Sequence, residues 1–483
     1  MSSELELLRI AIDEIWAASE STGLDPFPIH FEMVPASVMY EIGAYGLPGR
    51  FSHWTHGKAF HQMKTMYDYG LSKIYELIIN TNPAQAFLME GNSLIQNKLV
   101  IAHVIGHSDF FKCNAYFQHT NRQMAEMAGV TAERLRAYEM THGNQAVEEY
   151  LDAVLAIQEH IDPNLRTGRK PRLTGKERPH VRTTAYDDLW LRDNKDGEAV
   201  APVRRKTPEE PEKDLLLFLL ENSPELQDAE HEWKRDVLNI VRNEMLYFLP
   251  QMQTKVINEG WASFWHSRIL REMDLTGEEH MEFTRLHSSV LSPSPRGTSI
   301  NPYYVGFKIF EDIERRWNGD LYPAERREYR EANHGADWPH VGKGREKMFE
   351  VRELENDVSF LRNYLTRHMV DELDMYIYRR EGDEWVVVEK DWRKIRDNIV
   401  DSMTNFGFPY LVVVDGDYRR ARELYLLHCY DNRELDQHYA FRSMRYLHKL
   451  WGRPIHIETL VEGIPTVWTF DGEKELTEQK TAA

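Results

Sequence analysis

Two histidines set one helical turn apart, His103 and His107, carry the clearest chemical signal in this chain. They lie in NSLIQNKLVIAHVIGHSDFFKCNAYFQHTN (92–121), a segment that is apolar almost all round and therefore expected to be a buried helix. Side chains at i and i+4 leave the same face. Burying two imidazoles side by side costs free energy unless a partner satisfies them. A divalent metal satisfies both, and this spacing is the usual helical way to hold zinc. Metalloproteases place Glu directly after the first His, whereas this chain has Val104. The competing reading is a hydrogen-bonded polar network that holds two core helices in register.

A second segment, PQMQTKVINEGWASFWHSRI (250–269), supplies candidate partners. Gln251, Lys255, Glu259 and His266 form a polar line along an aromatic and apolar helix. Packed against the first helix, it would bring Glu259, His266 or both to the histidine pair. The metal ligands expected are therefore His103, His107, Glu259 and His266, with zinc as the metal and iron or manganese as alternatives. Glu32, Glu41 and Glu90 are the candidates for the water-activating carboxylate that the helix lacks. In SINPYYVGFKIFEDIE (299–314), a tyrosine could serve as an oxyanion donor. His53, His56 and His61 are expected to line a pocket wall or bond backbone carbonyls. Asp109, two residues after His107, faces away from the histidine stripe and is not a ligand candidate.

The elements that must position these groups are mostly helical. The expected fold is mainly α, with a helical N-terminal domain and a small C-terminal α+β domain built on an antiparallel sheet. Residues 1–161 and 214–368 form the two parts of the helical core. Between them, 162–213 is rich in Pro, Gly and charge and reads as a flexible surface insertion. The long helical pattern over 229–273 should kink or split at Pro250. Residues 369–472 alternate as strands around two helices and form the small domain, and 473–483 read as a disordered tail.

The composition sets broad limits. A net charge of −19 over 483 residues argues against an extended nucleic-acid or anionic-membrane surface. No run is long and apolar enough for a membrane span. Two distant cysteines, Cys113 and Cys429, form no disulfide framework and fit a reducing cytoplasm. No phosphate-binding glycine loop, dinucleotide fingerprint or zinc ribbon is present.

Several long motifs together carry a resemblance. EIGAYGLPGRFSHWTHGKAFHQMKTMYDYGLSKIYELIINTNP, NSLIQNKLVIAHVIGHSDFFKCN, NEGWASFWH and INPYYVGFKIFEDIE make the chain similar to the SpoVR family, the stage V sporulation protein R proteins, over roughly residues 6–470. The resemblance implies a role in forming the spore cortex, a peptidoglycan layer. It also implies a stress-related role beside a PrkA-type serine protein kinase in bacteria that do not sporulate. It carries no catalytic residues. A fainter similarity links His-x-x-x-His and Glu-Gly-Trp-Ala to zincin peptidases, in which His103, His107 and Glu259 would match the three zinc ligands. Two functions follow as expectations. One is a metal-dependent hydrolase acting on an amide bond of a peptide or peptidoglycan precursor. The other is a non-catalytic regulatory or assembly protein.

Overall fold

A computed structural model describes residues 2–69, 76–162, 207–293, 300–382 and 384–480. The expected insertion at 162–213 lies outside the described residues, apart from residue 162 and 207–213. The chain divides into two compact units, 1–148 with 243–408 and 149–242 with 409–483.

The first unit is helical around a small sheet. Strands β1 (Ile29–Val34), β2 (Leu77–Ile79) and β3 (Ala84–Met89) form a sheet in the order β1-β3-β2, with β1 parallel and β2 antiparallel to the central β3. A short turn through Gly91 (φ 83°) leads from β3 into the helix Leu94–Cys113. Ser93 and Gln96 form a capping box that satisfies the start of this helix. Ile95 and nearly every residue from Leu99 to Phe111 are buried, as its all-round apolar pattern demands.

The helix Lys255–Glu272 packs against it in antiparallel fashion, so that His103 meets His266 while His107 meets Asn258. Small residues allow the close approach: a Cβ on Gly106 would stand 2.8 Å from the Ala262 Cα. A third helix, Pro302–Trp317, crosses closer still, at Gly260 and Gly306. The long pattern over 229–273 breaks into Glu232–Gln253 and Lys255–Glu272. The break at Thr254 falls four residues after Pro250, whose carbonyl accepts from the Thr254 hydroxyl at 2.7 Å. No residue next to this helix start caps it. Asp357, from the helix Asp357–Tyr364, instead accepts from the Val256 and Ile257 N–H groups, both at 2.9 Å. Asp109 is wholly buried and outside the histidine group. It accepts from Asp25 N, Trp261 Nε1 and Arg352 Nη1 at 2.7–2.9 Å.

The hairpin of β4 (Ile377–Glu381) and β5 (Glu384–Glu389) and the helix Trp392–Met403 belong to this first unit. The small domain therefore starts at Pro409 rather than at residue 369. It also takes in the described residues 149–162 and 207–242, which the sequence divides between the helical core and the insertion.

In the second unit, β6 (Leu411–Tyr418), β7 (Glu423–His428), β8 (Ile455–Val461), β9 (Ile464–Phe470) and β10 (Glu475–Gln479) form one sheet in the order β10-β9-β8-β7-β6. All pairs are antiparallel except β7 with β8. Those two are joined by the helix Gln437–Trp451, and a helical crossover is what parallel neighbours require. This helix buries Phe441, Met444, Leu447, Leu450 and Trp451. Residues 475–479, expected to be part of a disordered tail, instead pair with β9 from Glu475↔Phe470 to Gln479↔Thr466. Backbone pairing with a neighbouring strand orders a segment whose side chains are all exposed. Among the described residues, no helix is long and apolar enough to cross a membrane.

A candidate metal centre between two helices

Two carboxylates and two imidazoles converge where the histidine helix faces the helix Lys255–Glu272. Each of Glu76, His103, His107 and Glu259 offers one ligand atom, and these atoms all lie within 4.8 Å of one another. His103 Nε2 is 3.4 Å from both Glu76 Oε1 and Glu259 Oε2, and His107 Nε2 is 3.4 Å from Glu259 Oε2. The group could hold a metal ion.

The remaining imidazole nitrogens are taken. His107 Nδ1 lies 2.9 Å from Asn258 Oδ1. A carboxamide oxygen only accepts, so Nδ1 carries a proton and Nε2 faces the group, with its lone pair free whenever the imidazole is neutral. His103 Nδ1 lies 2.8 Å from His266 Nδ1, and His266 Nε2 lies 2.9 Å from His287 Nδ1. When the His103 Nε2 lone pair is directed inward, His103 donates to His266 and His266 to His287; when a neutral His103 instead donates from Nε2 to Glu259, both bonds run the other way. Such bonds fix ring orientation behind a metal ligand.

Burial works against the charged form of His107. The charge and hydrogen bond of Glu259, helped by Glu76 and Asn258, overcome it and raise the imidazole to about 9. Burial likewise opposes ionisation of Glu259, yet His107 and His103 hold its carboxyl well below the usual carboxylate range. Burial, reinforced by the neighbouring His103, His287 and His107, keeps His266 well below the ordinary imidazole value and so neutral. Burial, with Arg271 and His103, lowers His287 to about 4.

Tyr303 completes the wall. Asn301 caps the helix Pro302–Trp317 by accepting from Tyr303 N at 3.0 Å. The Tyr303 ring stacks on His103 at 5.9 Å, and its hydroxyl donates to Glu76 Oε1 at 3.0 Å. Burial first, and then Glu76 and Glu259, push this phenol well above its usual value, so it remains a donor.

The structure brings together three of the four expected ligands. His266 is not among the converging atoms. Seven residues from Glu259 place it roughly 10 Å further along the helix, and it backs His103 instead. The expected bases Glu32, Glu41 and Glu90 are all exposed and outside the group. An unpaired carboxylate keeps its hydration, and in each case the local fold leaves it in water. Glu76 was not foreseen. It arrives from the residue preceding β2, and its sole sequence signal is that it is the one acid opening the apolar run ELII. Among the described residues, the other histidine cluster holds no such group. His53 caps the helix Trp54–Asp68, His56 Nδ1 bonds Phe51 O at 3.2 Å, and His61 is exposed. Cys113 and Cys429 are free thiols.

Comparison with known proteins agrees with a division of the chain at Pro409. The family described as SpoVR like protein matches residues 2–408, and the SpoVR-like C-terminal domain matches residues 409–462. The start of the latter coincides with the start of the last segment of the second unit at Pro409. The chain is similar to the uncharacterized protein YcgB of Escherichia coli (strain K12), with 28% identity over 503 aligned positions covering 98% of this chain and 94% of that protein. No solved structure matches the chain.

Proposed function

The chain belongs to the SpoVR family, and from that premise we propose that it is a metal-dependent hydrolase cleaving an amide bond at the Glu76–His103–His107–Glu259 group. One observation carries the reading: the 3.4 Å separations between donor atoms. Charge-assisted hydrogen bonds between imidazolium and carboxylate close to roughly 2.7–2.9 Å. Donors bound tetrahedrally at about 2.0–2.1 Å from one centre stand roughly 3.3–3.4 Å apart. At 3.4 Å the contacts of Glu259 with the two imidazoles are longer than such bonds and match the spacing of donors around a shared ion.

His103, His107 and Glu259 are the proposed ligands, and zinc suits this donor set, as iron or manganese would. Asn258 and His266 hold the two imidazoles in the required tautomers. The histidines are sealed, at 1% and 7% side-chain exposure, while Glu76 and Glu259 keep 20% and 16%. Access is therefore from the carboxylate side. A bound ion there supplies Lewis-acid polarisation of a carbonyl and eases deprotonation of water. Tyr303 places a donor hydroxyl at the same mouth. The substrate class we assign is an amide of a peptide or a peptidoglycan precursor, in keeping with the cortex role that membership of the family implies.

The test is hydrolysis. Zinc-reconstituted protein is incubated with muramyl peptides and with a peptide library, and new amines are detected by mass spectrometry. Cleavage is expected to require metal and to vanish in His103→Ala and His107→Ala. Turnover that persists in both variants, or no cleavage of any amide by metal-replete protein, overturns the proposal. The second outcome would favour a non-catalytic role beside a PrkA-type serine protein kinase.

A further inference from the structure

We infer that Glu76 is the acid–base carboxylate of this centre, not its fourth ligand, and that Tyr303 is the residue that positions it. The inference rests on the metal-hydrolase reading above and assigns a role that reading leaves open. A closed set of four protein ligands makes a structural site, whereas catalysis needs three ligands and an open position. One of the four donors must then do something else, and the geometry separates Glu76 from the other three.

Glu259 is the symmetric member, since its Oε2 lies 3.4 Å from the Nε2 atoms of both histidines. Of the two histidines, Glu76 is within salt-bridge reach of His103 only. His103, His107 and Glu259 stand on two packed helices, a rigid platform suited to holding an ion. Glu76 stands outside that pair, on the chain entering β2. Its Oε1 already accepts from the Tyr303 hydroxyl at 3.0 Å. A carboxylate oxygen engaged by a phenol is aimed by that bond and has its charge partly satisfied. Glu76 is also the most exposed of the four, on the side from which substrate must come. The role it takes is the one vacant on the histidine helix, where Val104 follows His103.

The step balances without a further reagent. A water oxygen bonds to the amide carbonyl carbon while one water proton passes to the Glu76 carboxylate. The carbon–nitrogen bond then breaks, and Glu76 returns that proton to the departing amine nitrogen. The products are one carboxylic acid and one amine. Tyr303, at the same mouth, orients Glu76 through its hydroxyl.

Because turnover depends on an unidentified substrate, the test uses zinc and acetohydroxamic acid as probes. A hydroxamate binds an open zinc position and donates its hydroxyl to a neighbouring carboxylate, so it reports on both. Zinc affinity is measured by chelator competition and hydroxamate affinity by calorimetry, on the full chain, with folding checked by circular dichroism. Wild type is expected to bind one zinc and the hydroxamate. Glu76→Gln should keep zinc within about threefold of wild type and weaken the hydroxamate about tenfold. Glu259→Gln should lose zinc affinity by about a hundredfold or more. Tyr303→Phe, which changes neither charge nor ring packing, should retain zinc and weaken the hydroxamate. It carries the test alone if Glu76→Gln does not fold.

If Glu76→Gln loses zinc as Glu259→Gln does, Glu76 is a ligand, and if Tyr303→Phe does, Tyr303 serves the ligand Glu259 rather than Glu76; either result makes the assignment wrong. If Glu76→Gln binds zinc and hydroxamate like wild type, Glu76 is a bystander, and if Tyr303→Phe does, Tyr303 does not position it; either result overturns the inference. Wild-type protein that binds no zinc at all sinks the parent reading, a result distinct from both.

Discussion

Substituting Gly260 by alanine tests whether the site depends on an unusually close helix crossing. An added Cβ would lie 2.3 Å from the Gly306 carbonyl carbon, 2.4 Å from its Cα and 2.7 Å from its oxygen. Ordinary contact begins near 3.4 Å, so the helices Lys255–Glu272 and Pro302–Trp317 must separate by about 1 Å. The obstacle is backbone, so no side-chain rotation relieves it. Helix propensity alone would favour alanine over glycine by about 1 kcal/mol. Overpacking of this kind costs about 1–3 kcal/mol and here sits at the upper end, so the net expectation is a loss of about 2 kcal/mol. The separation also reaches the centre, because Glu259 adjoins Gly260 while Tyr303 lies one turn before Gly306. Urea unfolding followed by tryptophan fluorescence, with zinc affinity measured in parallel, reads both effects. Gly129→Ala is the control, since it lies inside the helix Met124–His142 with nothing within 4 Å of an added Cβ. It should be neutral or stabilising. A Gly260→Ala protein as stable as the control, with unchanged zinc affinity, would refute the packing argument.

Other expectations follow from single contacts. Asn258→Leu removes the acceptor that fixes the His107 tautomer and should weaken zinc binding by about ten- to a hundredfold in chelator competition; unchanged affinity would show that Asn258 plays no part in ligand orientation. Asp109→Asn leaves Arg352 buried without its charge partner and should cost about 3–5 kcal/mol in chemical denaturation; a loss below about 1 kcal/mol would mean that water or another acid replaces it. His56 is lowered to about 4 by burial, and next by Arg50. Its neutral form is bound into the fold, so its contribution is complete above pH 6.5 and fades as pH falls from 6.5 toward 4. The contribution is at most about 3 kcal/mol, less after solvent screening. His56→Gln should flatten the stability profile across that window, whereas parallel profiles for variant and wild type would assign the acid sensitivity elsewhere.

What could be read from the sequence divides along physical lines. His103 and His107 were legible because helical spacing is local, and an apolar run around two imidazoles leaves few alternatives. Glu259 was legible because NEGWA places one acid within the buried stretch 256–267 of its helix. His266 was misassigned for the same reason that it was noticed. Sharing a helix face with Glu259 is not sharing a position along the axis, and two turns carried it to the opposite nitrogen of His103. Glu76 left only the faint signal of an acid opening an apolar run, because its place depends on the pairing of β2 with β3 and on the turn from β3 into the histidine helix. That is a tertiary relation with no periodic trace. The strand at 475–479 escaped for a related reason: its order comes from backbone bonds to β9, while its exposed side chains carry no burial pattern.

The most direct measurement is the metal content of purified protein, combined with X-ray absorption of the bound ion. The account predicts one divalent ion per chain, with two imidazole nitrogens and carboxylate oxygen at about 2.0–2.2 Å, and its loss in His103→Ala, His107→Ala and Glu259→Gln. A folded wild-type chain with no stoichiometric metal after exposure to zinc, iron and manganese would contradict it. So would an ion that survives all three substitutions.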